Sequence, residues 1–375
     1  MQSSEEYDYL VCGYYGMSNS GDDALQKSVW HGLHNLHQAK HGPDQTPSVA
    51  VTARTSAWGT PILPAEQKFR GHDRLALYNA ARKSQHIVFG GGSTLHSFRD
   101  IQLKRHLISL ARGNGHFAVG IGVGPFSDER TFLECKKLLE SMAFVGVRDQ
   151  DSLRICQSMQ LSTPVVQTGD LVPSLSGSLD FAEYDQPLPK RRGIGISLCP
   201  LESIKTGDTQ KEEARVAALA KIINEVARYS DEPVVLIDFN GHEELGDSGL
   251  HNLMQKALSP NVKVERLYYE GDPVRYFQEI GRLRCMVGMR LHAQIFAYLV
   301  GTPLISLEYH SKNAGFSREI GLDQSQRFDV EQINFDELFL SLLGGLAHGF
   351  KPPKAPVADT IKNSILNWRC VNAYA

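Results

Sequence analysis

Residues 285–312 read CMVGMRLHAQIFAYLVGTPLISLEYHSK, and this stretch decides the fold. Its first five residues are apolar and few enough for a buried strand, whereas residues 291–300 are apolar nearly all round, as in a buried helix. Gly301 follows, a residue suited to the end of a helix. Residues 302–309 then predict a second strand. A strand, a helix and a strand in so short a stretch form a βαβ unit, which predicts a parallel sheet in an α/β fold.

Three polar side chains of this stretch fall at one edge of the predicted sheet. Arg290 and His292 lie where the helix begins, and Lys312 lies just past the second strand. Ligands of open parallel sheets bind at the carboxyl ends of the strands. Because a helix N-terminus presents unpaired N–H groups and the positive end of the helix dipole, an arginine beside it predicts a pocket for a doubly charged anion. The sequence flanking Arg290 supplies no acidic partner, so we expect a ligand to neutralise it.

His292 allows two interpretations. It shares the predicted helix face with Phe296 and Leu299, and a histidine on an apolar face is usually a core residue. Alternatively it transfers protons, because the unperturbed pKa of histidine lies near neutrality. The presence of Arg290 beside it favours the second interpretation.

The N-terminal part of the chain repeats the order of short strand, polar loop and helix. Residues 9–12 predict a strand, and the loop GYYGMSNSGDD leads into a helix. The spacing of Gly16 and Gly21 matches a phosphate loop, but Asp22 follows where that motif requires lysine, which excludes a Walker-type triphosphatase. Asn19 and Asp22 either hold substrate hydroxyls or shape the chain locally, Asn19 in a left-handed turn and Asp22 as a helix cap.

Later strand ends carry further candidate residues. Residues 86–89 predict a strand that opens into Gly90-Gly91-Gly92-Ser93, where the missing side chains let the backbone approach a ligand or turn sharply. Further candidates along the chain are His96, Arg148 and Asp170. Alternatively, Arg148 caps a helix or pairs with Asp149 or Asp151.

Arg290-Leu291-His292-Ala293, followed by Gly301-Thr302-Pro303, Tyr309 and Lys312, resembles the polysaccharide pyruvyl transferase family. The likeness extends over most of the chain. The first loop of the family usually reads GY-x-G and then N-x-G-D-E, and here Asp23 stands in place of the glutamate, which keeps the charge but shortens the reach. The triple glycine at 90–92 and the V-R-D at 147–149 are also similar to the pattern of the family.

Members of this family place pyruvate ketals on sugars with phosphoenolpyruvate as the donor, and the resemblance implies the same reaction here. Protonation of the donor's methylene carbon makes the neighbouring carbon electrophilic, a sugar hydroxyl adds, phosphate leaves, and a second hydroxyl closes the cyclic ketal. The product would be part of an exopolysaccharide or a cell-wall polysaccharide. The resemblance leaves open the acceptor sugar and whether that acceptor is linked to a lipid.

The predicted site follows from the residues and the resemblance together. His292 is the predicted acid or base, and Arg290, Arg148 and Lys312 are predicted to stabilise the anionic donor and the departing phosphate. The predicted substrate-binding residues are Asn19, Gly21, Asp22, Gly91, Gly92, Ser93, His96, Asp170, Leu291 and Glu308. Since no His, Cys, Asp and Glu side chains have metal-ligand spacing, we expect neither a metal nor a cofactor.

The whole chain predicts two Rossmann-like, doubly wound domains that face each other across a cleft, as in glycosyltransferases of the B type. Residues 174–192 are rich in Ser, Pro and charge and predict the linker between them. We place the N-terminal domain at residues 1–180, on the acceptor side, and the C-terminal domain at 193–350, on the donor side. Residues 351–375 are expected to cross back to the first domain.

Composition limits the function further. The chain has 375 residues, 22% of them charged, and a net charge of −3, which is ordinary for a soluble globular protein and argues against general binding of nucleic acid or anionic membranes. Its six cysteines show no C-x-x-C spacing and predict reduced core thiols. We expect neither a signal peptide nor a transmembrane anchor, and hence a cytoplasmic protein. A lipid-linked acceptor would bring it to the inner membrane surface. The oligomeric state does not follow from the sequence.

Two other functions fit the same pattern. A glycosyltransferase of this fold would use a nucleotide sugar, with Glu308 binding the ribose. A non-catalytic protein would bind anionic sugars without turnover. Release of phosphate from phosphoenolpyruvate distinguishes the pyruvyl transfer reaction from both.

Overall fold

The computed structural model describes residues 6–53, 62–63, 72–187, 190–243 and 245–375. The chain forms two compact units. The first comprises Met1–Met17, Asp22–Leu179 and Ala358–Ala375, and the second comprises Ser18–Gly21 and Asp180–Val357. The short segment Ser18–Gly21 therefore belongs to the second unit, although the chain on both sides of it belongs to the first.

The N-terminal half follows the predicted alternation of strands and helices. Its elements are β1 (Tyr7–Tyr15), α1 (Ser20–His41), β2 (Val49–Ala53), β3 (Ile62–Leu63), α2 (His72–Lys83), β4 (Ser84–Leu95), α3 (Phe98–Leu110), β5 (Phe117–Val123), α4 (Glu129–Glu140), β6 (Phe144–Val147), α5 (Gln150–Ser158) and β7 (Val165–Gln167). Two short 3₁₀ helices follow at Val172–Gly177 and Phe181–Tyr184.

The strands of the first unit form one parallel sheet in the order β3-β2-β1-β4-β5-β6-β7. The strand order reverses between β1 and β4. All residues of β5, FAVGIGV, are buried. Such a continuously buried run is typical of a central parallel strand that is covered by helices on both faces.

β4 is longer than the sequence predicted. Its pairing with β5 continues through Gly90 and Gly92, which lie opposite Val119 and Ile121, so the triple glycine lies inside the strand and not in a loop after it. Gly91 and Gly92 have φ angles of 73° and 79°, a left-handed backbone that glycine adopts without strain. The pairing register shifts after Gly92.

The second half of the chain holds a second set of elements. They are β8 (Ile194–Ser197), α6 (Glu202–Lys205), α7 (Thr209–Val226), β9 (Val234–Ile237), α8 (Ser248–Ala257), β10 (Val264–Leu267), α9 (Pro273–Gly281), β11 (Cys285–Gly288), α10 (Leu291–Leu299), β12 (Leu304–Glu308), α11 (Ser311–Glu319), β13 (Arg327–Asp329), α12 (Phe335–His348) and α13 (Val357–Tyr374).

The sheet of the second unit is also parallel, in the order β10-β9-β8-β11-β12-β13. This is the strand order of doubly wound nucleotide-binding domains, and the predicted α/β, doubly wound fold is confirmed in both units. The order reverses between β8 and β11. Open sheets of this kind bind ligands beside that reversal, at the carboxyl ends of the strands.

The βαβ unit predicted from residues 285–312 is present as β11, α10 and β12. Every residue of α10 except His292 is buried, which agrees with its nearly continuous apolar sequence. Gly301 follows the helix with φ of 64°, the left-handed conformation expected after a helix end.

Residues 174–192, predicted as the linker between the domains, contain the boundary between the two units at Leu179 and Asp180, and buried side chains hold part of this segment in place. Phe181 is buried, with its ring centroid 5.0 Å from that of Phe277. Arg191 is also buried and donates to the Thr302 hydroxyl (2.6 Å) and to the Leu283 carbonyl (3.2 Å). These two side chains fix a segment whose average composition is polar. Residues 188–189 lie outside the described part of the chain.

The C-terminal helix α13 packs in the first unit. Asn367 is completely buried, and its Oδ1 accepts from the Gly120 N–H (2.9 Å) and from the Thr168 hydroxyl (2.7 Å). Trp368 lies against Gly32, where a Cβ would come within 2.0 Å of the indole ring. The helix therefore completes the core of a unit whose sheet was built by the N-terminal half.

Two expectations from composition can be compared with the structure. All cysteines are free, and all but Cys370 are buried, which confirms the predicted core thiols. No helix within the described ranges is long and apolar enough to cross a lipid bilayer.

Candidate functional site

The candidate site lies at the carboxyl edge of the second sheet, beside the reversal of strand order. Arg290 follows β11 and is the N-cap residue of α10, with extended backbone angles (φ −70°, ψ 135°). His292 is the second residue of that helix. Cys199 follows β8, and Tyr309 follows β12. Adjacent strands thus deliver a cation, an imidazole, a thiol and a phenol to one edge.

Arg290 has an acidic partner that the flanking sequence did not reveal. Its Nε donates to Asp247 Oδ1 (3.0 Å), and its Nη2 donates to the same oxygen. The side chain of Asp247 is completely buried, whereas that of Arg290 is 20% exposed. The premise that Arg290 lacks an acidic partner is therefore wrong, because Asp247 reaches it from the loop that follows β9, and a ligand at Arg290 stays a prediction.

Burial and charge set the protonation of these side chains. Burial alone would lower the pKa of Arg290, but the charge of Asp247 outweighs burial and the pKa is raised, so Arg290 stays cationic. Burial raises the pKa of Cys199 and that of Tyr309, although Arg290 opposes both shifts. The two side chains are hydrogen-bonded to each other. Both groups are therefore neutral near pH 7.

The segment Ser18–Gly21 is held within the second unit by backbone hydrogen bonds. The Ser20 N–H donates to the Phe239 carbonyl (2.9 Å). The Gly241 N–H donates to the Ser18 carbonyl (2.7 Å). The loop after β9 is therefore the surface on which this segment lies.

Gly21 lies directly against the ring of His292. A Cβ at Gly21 would come within 2.0 Å of His292 Nδ1. Two residues before Gly21, Asn19 forms an isolated antiparallel bridge with Asn240. The structure thus places Gly21, predicted from the first loop, next to a histidine predicted from a distant stretch.

Asn19, and not Asp22, caps α1. Its Oδ1 accepts from the Gly21 N–H (3.0 Å), a bond typical of an N-cap. The residue with a left-handed backbone is Ser18 (φ 58°), and not Asn19. Asp22 lies in the first turn of the helix, where its charge complements the dipole. The predicted local roles are therefore present, but at shifted positions.

Asp23, which replaces the glutamate usual in the family, bonds to its own loop. Its Oδ1 accepts from the Gly16 N–H (2.8 Å). Burial raises the pKa of Asp23 to about 7, although the Gly16 bond opposes this shift. The shorter side chain of Asp23 thus stabilises the conformation of the loop through its bond to Gly16.

A second group of predicted residues lies in the first unit. Arg148 is buried after β6, and its Nη2 donates to the Ser93 hydroxyl (3.1 Å). Its Nε lies 3.5 Å from Asp149, so the predicted alternative pairing is also present. A Cβ at Gly122 would come within 3.0 Å of the guanidinium, and a Cβ at Gly91 within 2.8 Å of Leu25. Gly122 therefore leaves room for close packing beside Arg148 and Ser93, whereas Gly91 leaves room for Leu25.

Two other predicted residues of the first unit make local contacts. Asp170 accepts from the N–H (2.9 Å) of Val172, the first residue of the 3₁₀ helix Val172–Gly177. His96 is exposed, and its Nδ1 lies 3.1 Å from the Ser93 carbonyl oxygen. Their predicted contact with a substrate stays a prediction.

Leu291, Glu308 and Lys312 complete the predicted set in the second unit. Leu291 is buried and packs in the core. Glu308 forms a two-bond pair with Arg327, at 2.8 Å from Nε and 3.1 Å from Nη2. Lys312 is the second residue of α11, and its charge opposes the raised pKa of Cys199.

A buried polar network near the site was not predicted. Asp238, the residue after β9, is hydrogen-bonded by Ser248, by His251 Nδ1 and by Arg266 Nη2, the last at 3.2 Å from each oxygen. His251 Nε2 accepts from the Leu198 N–H (3.0 Å), so the ring proton lies on Nδ1. Burial alone would raise the pKa of Asp238, but these bonds lower it. The sequence signal that could have revealed this network is Asp238, an acidic residue directly after the strand Val234–Ile237.

The chemistry that this edge supports is binding of an anion and transfer of a proton. Arginine, lysine and a helix N-terminus are the groups that bind phosphate and carboxylate oxygens. Among the residues that the structure describes, no group of three or more His, Cys, Asp and Glu side chains could hold a metal ion.

Known structures share this fold over nearly the full chain. The putative UDP-N-acetylglucosamine 2-epimerase of Listeria monocytogenes has a TM-score of 0.61 at 10% identity, over 95% of this chain and 94% of that one. S. aureus MnaA, solved with UDP, has a TM-score of 0.59 at 12% identity, over 94% and 93% of the two chains. At these identities the likeness shows the fold alone, which is of the glycosyltransferase B type.

The sequence itself matches a family. The amylovoran biosynthesis protein AmsJ of Erwinia amylovora is 21% identical over 302 residues, which are 77% of this chain and 70% of that protein. The family model described as polysaccharide pyruvyl transferase matches residues 19–311. Because this match spans most of the chain, from the Asn19 loop to the start of α11, the chain belongs to the polysaccharide pyruvyl transferase family.

Proposed function

We propose that the protein transfers pyruvate from phosphoenolpyruvate to a sugar of an exopolysaccharide or cell-wall polysaccharide, or of its precursor, and forms a cyclic pyruvate ketal. The observation that carries this proposal is the arrangement at the start of α10. Arg290 occupies the N-cap, and His292, which unlike the other residues of that helix is only partly buried, has Gly21 against its ring. Family membership supports the proposal. The name of AmsJ, a relative, refers to the biosynthesis of amylovoran.

Arg290 can bind a donor anion while it holds Asp247. A guanidinium has five N–H donors in a planar fork. Asp247 takes the Nε edge of the fork, which leaves the outer edge formed by Nη1 and Nη2. Two N–H groups on that edge match two oxygens of a phosphate or carboxylate. Phosphoenolpyruvate carries both groups, and Lys312 supplies a second cation in the same unit.

The proposed reaction conserves atoms and charge. A proton is added to the methylene carbon of phosphoenolpyruvate, and the adjacent carbon accepts a sugar hydroxyl oxygen, which loses its proton. The bond from that carbon to the phosphate oxygen breaks, and inorganic phosphate leaves. A second hydroxyl of the sugar then adds, loses its proton and closes the ketal. His292 is the proposed proton carrier, and Arg290 and Lys312 stabilise the leaving phosphate.

The units have different proposed partners. The second unit would bind the donor, because it contains Arg290, His292 and Lys312. The first unit would bind the sugar acceptor, whether or not a lipid carries it. Arg148 stays a predicted contact of the donor. We propose no cofactor.

A nucleotide-sugar glycosyltransferase is the main alternative, because solved structures of the same fold contain UDP. In that function Glu308 would bind a ribose. In the structure both oxygens of Glu308 are engaged by Arg327. This observation favours phosphoenolpyruvate as the donor.

The decisive experiment measures which donor is consumed. The protein is incubated with phosphoenolpyruvate or with UDP-sugars, each with a panel of galactosides, mannosides, glucosides and N-acetyl sugars. We expect acceptor-dependent release of phosphate from phosphoenolpyruvate and a product heavier by a pyruvate ketal. Release of UDP would show a glycosyltransferase. Binding of the sugars without either release would show a non-catalytic protein.

Two variants separate chemistry from binding at the site. His292→Ala should lower kcat by roughly 10²-fold or more and leave the donor KM within a few-fold, which is the effect of losing an acid or base. Arg290→Lys keeps the charge but loses the planar fork, so the donor KM should rise. Unfolding of both variants, or unchanged kinetics in both, would reject the roles proposed for these residues.

A further inference from the structure

We infer that Asp247 positions both members of the proposed catalytic pair, Arg290 directly and His292 through the segment Ser18–Gly21. Asp247 lies between β9 and α8 and is completely buried. The kinetic consequences of this inference rest on the proposed function, whereas the contacts that carry it belong to the structure alone.

Both oxygens of Asp247 accept hydrogen bonds, from a backbone turn and from Arg290, whose Nε lies 3.4 Å from Oδ2 as well. Oδ2 accepts from the N–H groups of Phe239 (2.9 Å) and Asn240 (3.0 Å). Oδ1 accepts from Nε and Nη2 of Arg290. A carboxylate with both oxygens bonded in this way has one orientation, and it fixes the plane of the guanidinium that it holds.

The same turn carries the segment that contacts His292. The Phe239 carbonyl accepts both the N–H (2.9 Å) and the hydroxyl (3.3 Å) of Ser20. The next residue is Gly21, which lies against the His292 ring. Asp247 is therefore connected to the start of α10 in two ways: directly to Arg290 at the N-cap, and to His292 through Phe239 and the segment Ser18–Gly21. Loss of Asp247 would loosen both connections.

The charge of Asp247 has a second consequence. A buried carboxylate beside Arg290 cancels much of the positive charge that would attract an anionic donor. The pair therefore favours orientation of the guanidinium over strength of binding. If this is correct, removal of the negative charge slows the reaction without weakening the donor complex, a pattern that general destabilisation does not produce.

The variant Asp247→Asn tests this pattern with little change of shape. The amide oxygen can still accept from the backbone turn, but the amide NH₂ then faces Arg290 and cannot accept from it. We expect kcat for phosphate release from phosphoenolpyruvate to fall about tenfold or more, the size of effect that misplaced reacting groups cause. We expect the donor KM to stay equal or to fall.

Glu202→Gln is the matched control. It removes the charge from another buried pair of the same unit, Glu202 and Arg215, whose atoms lie 2.6 Å apart. The control should lower the melting temperature to an extent similar to that of Asp247→Asn and leave kcat and KM unchanged. Identical kinetics in the two variants, or a donor KM that rises together with the melting defect, would overturn the inference.

A measurement without turnover separates this inference from the proposed function. NMR of the intact chain, with the signal assigned by Arg290→Lys, reports how fast the Arg290 Nε–H exchanges with water. Exchange should be at least about tenfold faster in Asp247→Asn, because Nε–H loses its buried acceptor. If the wild-type chain releases no phosphate but its Arg290 Nε–H exchanges more slowly than that of Asp247→Asn, the proposed function fails and the positioning of Arg290 stands. Equal exchange in both proteins rejects the positioning.

Discussion

At Gly21 the missing side chain makes room for the proposed catalytic histidine. A Cβ would lie within 2.0 Å of Nδ1 and 2.3 Å of Cγ of His292, so an alanine must displace the ring. The backbone conformation at Gly21 is compatible with alanine, because the residue lies in the first turn of α1 and its φ is not positive. We expect Gly21→Ala to keep the fold and to lower kcat about tenfold or more, since a displaced base loses its alignment.

Steady-state kinetics and thermal melting check this prediction. Gly344→Ala in α12 is the control, because no atom lies within 4 Å of the added Cβ and the helix gains only a better helix former. Its kcat should equal that of the wild type. If Gly21→Ala were as active as the wild type while His292→Ala was impaired, the contact would have no part in catalysis.

Some residues of the site can be predicted from the sequence and others cannot. Arg290 and His292 could be predicted, because both belong to one helix start and the chemistry of that position is local. Asp247 could not, since 43 residues separate it from Arg290 and only the folded sheet brings the two together. The contact of Gly21 with His292 has the same origin.

Single elements were predictable where a hydrophobic pattern determines them. The sequence of α10 is apolar all round, and a helix of that kind must be buried. β4 was predicted too short, because glycine usually ends a strand, whereas here the pairing with β5 holds Gly90 and Gly92 in the ladder. The composition of residues 174–192 predicted the segment in which the boundary between the units lies, but it did not reveal that Phe181 and Arg191 are buried there.

The C-terminal helix α13 depends on one buried amide for its contact with the first sheet. Asn367 is the buried acceptor for the Gly120 N–H and the Thr168 hydroxyl. Asn367→Ala leaves both donors buried without that acceptor, so we expect a loss of about 2 kcal/mol in the free energy of unfolding. Denaturant unfolding measures the loss. Asn363→Ala, on the exposed face of the same helix, should have an effect near zero, and equal effects of the two substitutions would contradict the prediction.

At the scale of the whole molecule, the alternation of short apolar strands and helices was enough to predict two parallel, doubly wound sheets. The order of the strands was not available from the sequence, because it depends on which helices cross to which face. That order matters for function, since it places Arg290 beside the reversal between β8 and β11. The fold thus supplies the location, and the side chains at one strand edge supply the chemistry.

The positive charge that stabilises the leaving phosphate can come from protein groups alone. We expect pyruvyl transfer without a metal ion, because Arg290, Lys312 and the N-terminus of α10 can stabilise the phosphate, and because the described ranges contain no group of three or more His, Cys, Asp and Glu side chains arranged for a metal. Dialysis against EDTA should therefore leave phosphate release from phosphoenolpyruvate unchanged. EDTA is itself a polyanion that can compete at a cationic pocket, so the control uses EDTA presaturated with calcium. Loss of activity with free EDTA alone, followed by recovery when a divalent ion is added, would show that a metal takes part.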